Sequence, residues 1–116
     1  MKYIYIMLIA LFISGCWKSD VGRSYYPSGK IKTSAQVKNG LVSGLATMFF
    51  EDGSKKSEAS YEFGILHGDS FAYYKSGALK AKATYHLGVL NGVSEQWSES
   101  GELIQAAVFD MGKLLK

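Results

Sequence analysis

Few side chains in this sequence are suited to chemistry. The chain has 116 residues, with one cysteine and two histidines. Cys16 has no second cysteine with which to form a disulfide. His67 and His86 have no cysteine or further histidine at the spacing of metal ligands, so both read as solvated surface residues. Asp69, two residues after His67, invites an acid–base pair, yet the positions 24 residues to either side hold Leu45 and Val93. A nucleophile needs an oriented base, and no such constellation is present. The Gly-x-Ser-x-Gly elbow of serine hydrolases is absent. The many glycines precede no helical pattern, which argues against a phosphate cradle. The expectation is a protein without catalytic residues, metal or cofactor.

Cys16 acquires meaning from what precedes it. Lys2 is followed by an uncharged apolar run, Tyr3 to Ile13, and then by the small residues Ser14 and Gly15. A membrane-spanning helix needs about 20 apolar residues. This run is shorter and fits the apolar centre of a secretion signal. Ile13-Ser14-Gly15-Cys16 resembles the bacterial lipobox, in which cleavage before the cysteine leaves it as the first mature residue. That resemblance implies a diacylglycerol on the Cys16 sulfur, and further acylation at its amine. Each acyl CH₂ buried in a bilayer contributes about 0.8 kcal/mol, so two or three chains anchor firmly. The expected organisation is a signal peptide over 1–15, an acylated cysteine and tether over 16–20, and a repeat domain over 21–116. The expected location is the cell membrane or outer membrane, on the exported side.

Removal of Lys2 with the signal leaves 12 basic against 10 acidic residues. A balance this close to neutral supplies no electrostatic footprint for nucleic acid.

The elements that position these residues repeat every 24 residues. Gly29, Gly53, Gly77 and Gly101 form one track; Gly40, Gly64, Gly88 and Gly112 form a second; Gly44, Gly68 and Gly92 form a third. Together the tracks hold eleven of the 13 glycines, which marks a repeat architecture. Ala35, Ala59, Ala83 and Ala107 keep the same step. So do the aromatics Tyr25, Phe49, Tyr73 and Trp97, and the large apolar residues Val37, Tyr61, Tyr85 and Phe109. Between glycines the pattern alternates with period two, as in Ile31, Thr33, Ala35 and Val37 against Lys30, Lys32, Ser34 and Gln36, and that period means strand. Pro27-Ser28-Gly29 and its sisters read as three-residue hairpin loops closed by a left-handed glycine. The stretch from Gly40 to Gly44 reads as a longer loop with two hinges. The fold expected is all-β, an antiparallel meander of stacked hairpins with eight short strands. A three-residue loop pairs Tyr25 with Ile31, so odd positions face odd positions, and every odd-numbered aromatic is expected on one side of the sheet.

Tyr25-Tyr26-Pro27-Ser28-Gly29-Lys30-Ile31, its echo Tyr73-Tyr74-Lys75-Ser76-Gly77-Ala78-Leu79, and the link Tyr85-His86-Leu87-Gly88-Val89-Leu90-Asn91-Gly92 resemble the MORN-repeat superfamily, in the variant found in bacterial YwqK-type antitoxin-like proteins. The resemblance covers about residues 21 to 116. It implies a rod or trough of antiparallel hairpins used for binding, mostly to proteins and sometimes at membranes. It also implies an alternative role, an antitoxin or immunity-like protein that neutralises a partner toxin. The last copy departs from the pattern, with Ser98 in place of the second aromatic.

The residues expected to bind a partner are therefore Tyr25, Phe49, Tyr73 and Trp97, with Tyr61, Tyr85 and Phe109. A single-layer sheet buries one side at most, and an exposed apolar area marks an interaction site. Trp97 and the tyrosines also suit stacking on envelope polysaccharide. The last strand, residues 103 to 109, is apolar on both sides and lies at a sheet edge, which predicts self-association or partner capture there. Val108→Lys is expected to abolish that complex.

Overall fold

A computed structural model describes residues 19–115; Cys16 and the apolar run before it lie outside the described residues. The fold is all-β, a single antiparallel meander without a second layer. Its strands are β1 (Ser19–Tyr25), β2 (Ile31–Lys38), β3 (Leu41–Phe49), β4 (Lys55–Glu62), β5 (Ile65–Tyr73), β6 (Leu79–His86), β7 (Val89–Leu90), β8 (Gly92–Trp97), β9 (Leu103–Asp110) and β10 (Lys113–Leu114). The sequence pattern of eight strands becomes ten because β7 and β8 are one strand broken at Asn91, and because β10 folds back on β9. Principal extents are 59 × 36 × 16 Å. Among the described residues no apolar side chain is buried, and only Thr47, at 9 % exposure, falls below the surface.

Two kinds of turn define the two long edges. On one edge lie the three-residue loops. Tyr26 N–H donates to the Lys30 carbonyl (2.8 Å) and Gly29 N–H to the Tyr26 carbonyl (2.9 Å), with Gly29 left-handed at φ 89°. Phe50/Gly53, Tyr74/Gly77 and Ser98/Gly101 repeat that turn closure. On the other edge the expected long loop is instead a tight two-residue turn. Asn39-Gly40, Phe63-Gly64, Leu87-Gly88 and Met111-Gly112 all have positive φ at both positions, the geometry that matches the twist of flanking strands. The third glycine track lies inside the strands. Between Ala35↔Ala46 and Val37↔Val42, two steps on β2 face four on β3, and Gly44 occupies that bulge.

The expected register holds at the turn and then slips. Tyr25 faces Ile31, as predicted, but Ser24 faces Thr33. The same one-residue slip follows Phe49↔Lys55, Tyr73↔Leu79 and Trp97↔Leu103. An extra residue on one strand reverses side-chain parity beyond it. The odd positions are therefore divided between the faces rather than gathered on one. Tyr25, Phe49, Tyr73 and Trp97 lie on one face, and Tyr61, Tyr85 and Phe109 on the other.

Candidate functional site

The face that carries Tyr61, Tyr85 and Phe109 is built around a line of small residues. Gly22 faces Ala35, Ala35 faces Ala46, Ala46 faces Ala59, Ala59 faces Ser70, and Ser70 faces Ala83. Ser94 and Ala107 continue the line as a facing pair. Small side chains on β1 to β6, β8 and β9 make a shallow floor across the sheet. One wall is made by Val37, Tyr61, Tyr85 and Phe109, opposite Val42, Leu66, Leu90 and Leu114. The second wall follows from alternation beyond Gly22 and Ser24, which brings Tyr26, Phe50 and Tyr74 to the same face. The Tyr26 hydroxyl donates to the Phe49 carbonyl (2.6 Å) and that of Tyr74 to the Trp97 carbonyl (2.9 Å). Each bond ties one hairpin to the next. Between the walls, Ser70, Ala81, Ala83, Tyr85, Leu90 and Ser94 line a hollow of about 250 Å³.

Cations flank the second wall. The Lys32, Lys56 and Lys80 amines lie 5.7, 5.9 and 5.5 Å from the ring centres of Tyr26, Phe50 and Tyr74, and Lys75 lies 5.8 Å from Phe50. These are cation–π distances, worth roughly 0.5–1 kcal/mol each at exposed sites. Phe50, which has no hydroxyl to make such a tie, lies near two lysines, Lys56 and Lys75.

The opposite face holds the other predicted column. Tyr25 and Leu103 are exposed, whereas Phe49, Tyr73 and Trp97 are half-buried. Phe71 stacks on Tyr73, with ring centres 6.5 Å apart, and Lys82 lies over Phe71 at 5.8 Å. A second hollow of about 400 Å³ sits between Ile31 and Phe49 and the loops at Gly29 and Asp52. Beside it the Asp52 carboxylate accepts from the Ser54 hydroxyl (2.5 Å) and the Ser54 N–H (2.8 Å). Those two bonds hold its carboxyl below the ordinary aspartate range. On the same face Lys55 pairs with Glu58 at 2.7 Å, and the carboxylate raises the lysine pKa.

The structure joins two residues that spacing alone kept apart. The His67 and His86 rings lie 4.9 Å between centres, tilted by 53°. His67 Nδ1 accepts the Leu87 N–H at 3.2 Å, and its Nε2 lies 3.6 Å from Glu62. His67 fills the role that Asn91 plays one repeat later, where Asn91 Oδ1 accepts the Met111 N–H at 3.1 Å. The pair thus supports a turn. Among the described residues no group of three or more His, Cys, Asp or Glu is placed to hold a metal ion. Asp69, read from sequence as lacking a matched partner, accepts the Thr84 hydroxyl at 2.8 Å across the β5–β6 ladder.

The sequence profile of the MORN repeat variant matches residues 21–39, 43–62 and 66–86, together just over half of the chain. The chain belongs to the MORN repeat variant family. No curated protein matches it. Each matched MORN segment corresponds to one hairpin: β1–β2, β3–β4 and β5–β6. The hairpin of β8 and β9 keeps the phase of these MORN copies, with the same turn closure and the same slip. At the Met111-Gly112 turn β9 follows the other copies, its Asp110 and Phe109 pairing with Lys113 and Leu114, and the Leu115 N–H bonds the Val108 carbonyl. The edge open to another strand is therefore Leu103 to Ala107, shorter than the 103–109 stretch expected from sequence.

Proposed function

We propose that this protein is a lipid-anchored component of the cell envelope that acts as a non-enzymatic, protein-binding repeat module. One observation carries the reading: the described domain has no buried apolar residue, so its aromatic columns are half-covered surfaces rather than a core. Large apolar side chains normally lie inside. Held open in rows, they offer the amphipathic contact area from which interface anchors are made. The face of Tyr61, Tyr85 and Phe109 is the better receiver, because its small-residue floor lets an extended segment approach the sheet between two walls. Repeat modules of this family commonly serve protein or membrane binding. The lipid anchor is supported by the order of Lys2, the apolar run, Ser14-Gly15 and Cys16. Self-association through the open part of β9 belongs to the same reading.

The test is recovery of a partner from detergent-solubilised membranes with tagged full chain. A protein retained by the parent chain is expected to be lost with Tyr61→Lys and Tyr85→Lys, and kept with Tyr73→Lys on the other face. Circular dichroism of each variant must show the sheet intact. Equal retention by all three variants removes the trough as the binding surface. A recovered partner whose toxicity the chain suppresses would establish the antitoxin-like alternative. Retention on isolated cell wall, lost with Trp97→Ala, would point to polysaccharide.

A further inference from the structure

The two long edges of the sheet differ in chemistry. The tips of the three-residue loops are polar apart from Pro27: Pro27-Ser28, Glu51-Asp52, Lys75-Ser76 and Glu99-Ser100. The tips of the two-residue turns are mostly apolar. Phe63, Leu87 and Met111 occupy them at 71, 59 and 56 % exposure. Each has a left-handed backbone, with φ of 50, 47 and 46°. Asparagine or glycine fills such a position with least strain, as Asn39 does in the first turn. Large apolar residues there are both strained and exposed, so neither local conformation nor packing accounts for them. Strain kept at an exposed tip directs attention to function.

The chain enters the sheet at this same edge. Ser19 begins β1 opposite Lys38, next to the Asn39-Gly40 turn. Cys16 stands three residues earlier, within roughly 10 Å of extended chain. We infer that the edge of two-residue turns lies on the lipid bilayer, with Phe63, Leu87 and Met111 entering its interfacial layer beside the acylated cysteine. This inference rests on the lipid anchor proposed above.

The backbone at two of these tips is suited to such a place. Leu87 N–H is bonded to His67 Nδ1 and Gly88 N–H to the Leu66 carbonyl (2.7 Å). Met111 N–H is bonded to Asn91 Oδ1 and Gly112 N–H to the Leu90 carbonyl (2.6 Å). Unbonded donors are costly away from water, and these tips bring none of those four. The tips repeat every two strands, about 10 Å apart, so three of them form a line along the bilayer plane. Charges beside the turns are mixed, with Lys38 and Lys113 against Glu62 and Asp110. Apolar insertion rather than attraction to anionic lipid therefore sets the contact.

The full chain, purified from bacterial membranes in detergent and reconstituted into phosphatidylcholine vesicles, supports a direct test. A nitroxide is placed at Leu87→Cys, at Met111→Cys, or at Ser76→Cys on the polar edge. The chain without an added cysteine reports any label taken by Cys16. The expected result is high collision with oxygen and low collision with a water-soluble nickel chelate at 87 and 111, and the reverse at 76. Replacing half of the lipid with phosphatidylglycerol is expected to leave this contrast unchanged. Nickel accessibility at 87 and 111 equal to that at 76 overturns the proposal. So does spin–spin broadening at 87 that vanishes on dilution with unlabelled protein, since a second copy would then cover the edge. Intact mass of the same preparation separates the two ideas. Acylated Cys16 with labels in water removes the edge contact alone; unacylated Cys16 with labels in lipid removes the acyl anchor alone; and unacylated Cys16 with labels in water removes both.

Discussion

Leu87 shows how a residue can be wrong for its backbone and right for its place. Its φ of 47° carries a steric penalty of roughly 1–2 kcal/mol that asparagine largely avoids. Leu87→Asn is expected to raise stability by about 0.5–1 kcal/mol in denaturant unfolding of the detergent-purified chain, because little packing is lost from an exposed tip. A loss of stability would mean that the leucine packs within the sheet, contrary to its exposure. Asp52 gives a second residue-scale prediction. The Ser54 bonds lower its pKa in the folded chain, so its contribution is present above the ordinary aspartate pKa and lost as pH falls through the lowered value. Carboxyl titration by NMR is expected to show this depression in the parent, and its reduction in Ser54→Ala. At this scale the sequence was legible wherever glycine type reported backbone conformation. It was silent where Phe63, Leu87 and Met111 adopt the same conformation, because nothing in an apolar side chain announces a positive φ. The His67–His86 contact was equally hidden, since it follows from register and not from spacing.

At the scale of the element, the edge of β9 invites a prediction that differs from the one read off the sequence. The Val108 carbonyl accepts the Leu115 N–H at 2.7 Å, so that position already has a partner. Backbone groups alternate in direction along a strand, which sends those of Ala106 outward from the same edge. Ala106→Pro removes an outward donor without touching the β8–β9 ladder, and edge strands accept proline there. Concentration-dependent sedimentation in detergent is expected to show self-association in the parent and its loss in Ala106→Pro. An unchanged profile would exclude strand addition at β9. The elements themselves were foreseeable: period two gave the strands, and the 24-residue step gave the hairpins. The slip after Tyr25↔Ile31 was not, because its extra position holds Lys32, Lys56, Lys80 and Ile104, which are ordinary strand residues. One undetected residue per hairpin was enough to place Tyr61, Tyr85 and Phe109 on the wrong face.

At the scale of the whole domain, a sheet with no second layer among the described residues has consequences for how stability is distributed. A strand touches chiefly the strands beside it, and no common core links distant hairpins. Stability in such a chain approximates a sum of unit and nearest-neighbour contributions rather than one cooperative term. Strands in the middle have two neighbours, whereas β1 has one, and β9 has only the short β10 beyond β8. The ties from Tyr26 to Phe49 and from Tyr74 to Trp97 join the β1–β2 turn to β3 and the β5–β6 turn to β8, without spanning the sheet. Opening should therefore begin at the ends and move inward. Hydrogen exchange of the reconstituted chain, read by mass spectrometry, is expected to show the slowest amides in β4, β5 and β6 and the fastest in β1 and β9. If Phe63, Leu87 and Met111 lie on lipid, the detergent-to-vesicle transfer slows exchange at their turns and leaves the Ser76 and Ser100 turns as they were. A single opening event of equal free energy in every strand would contradict the nearest-neighbour account. It would require long-range coupling through a bound partner or a closed core.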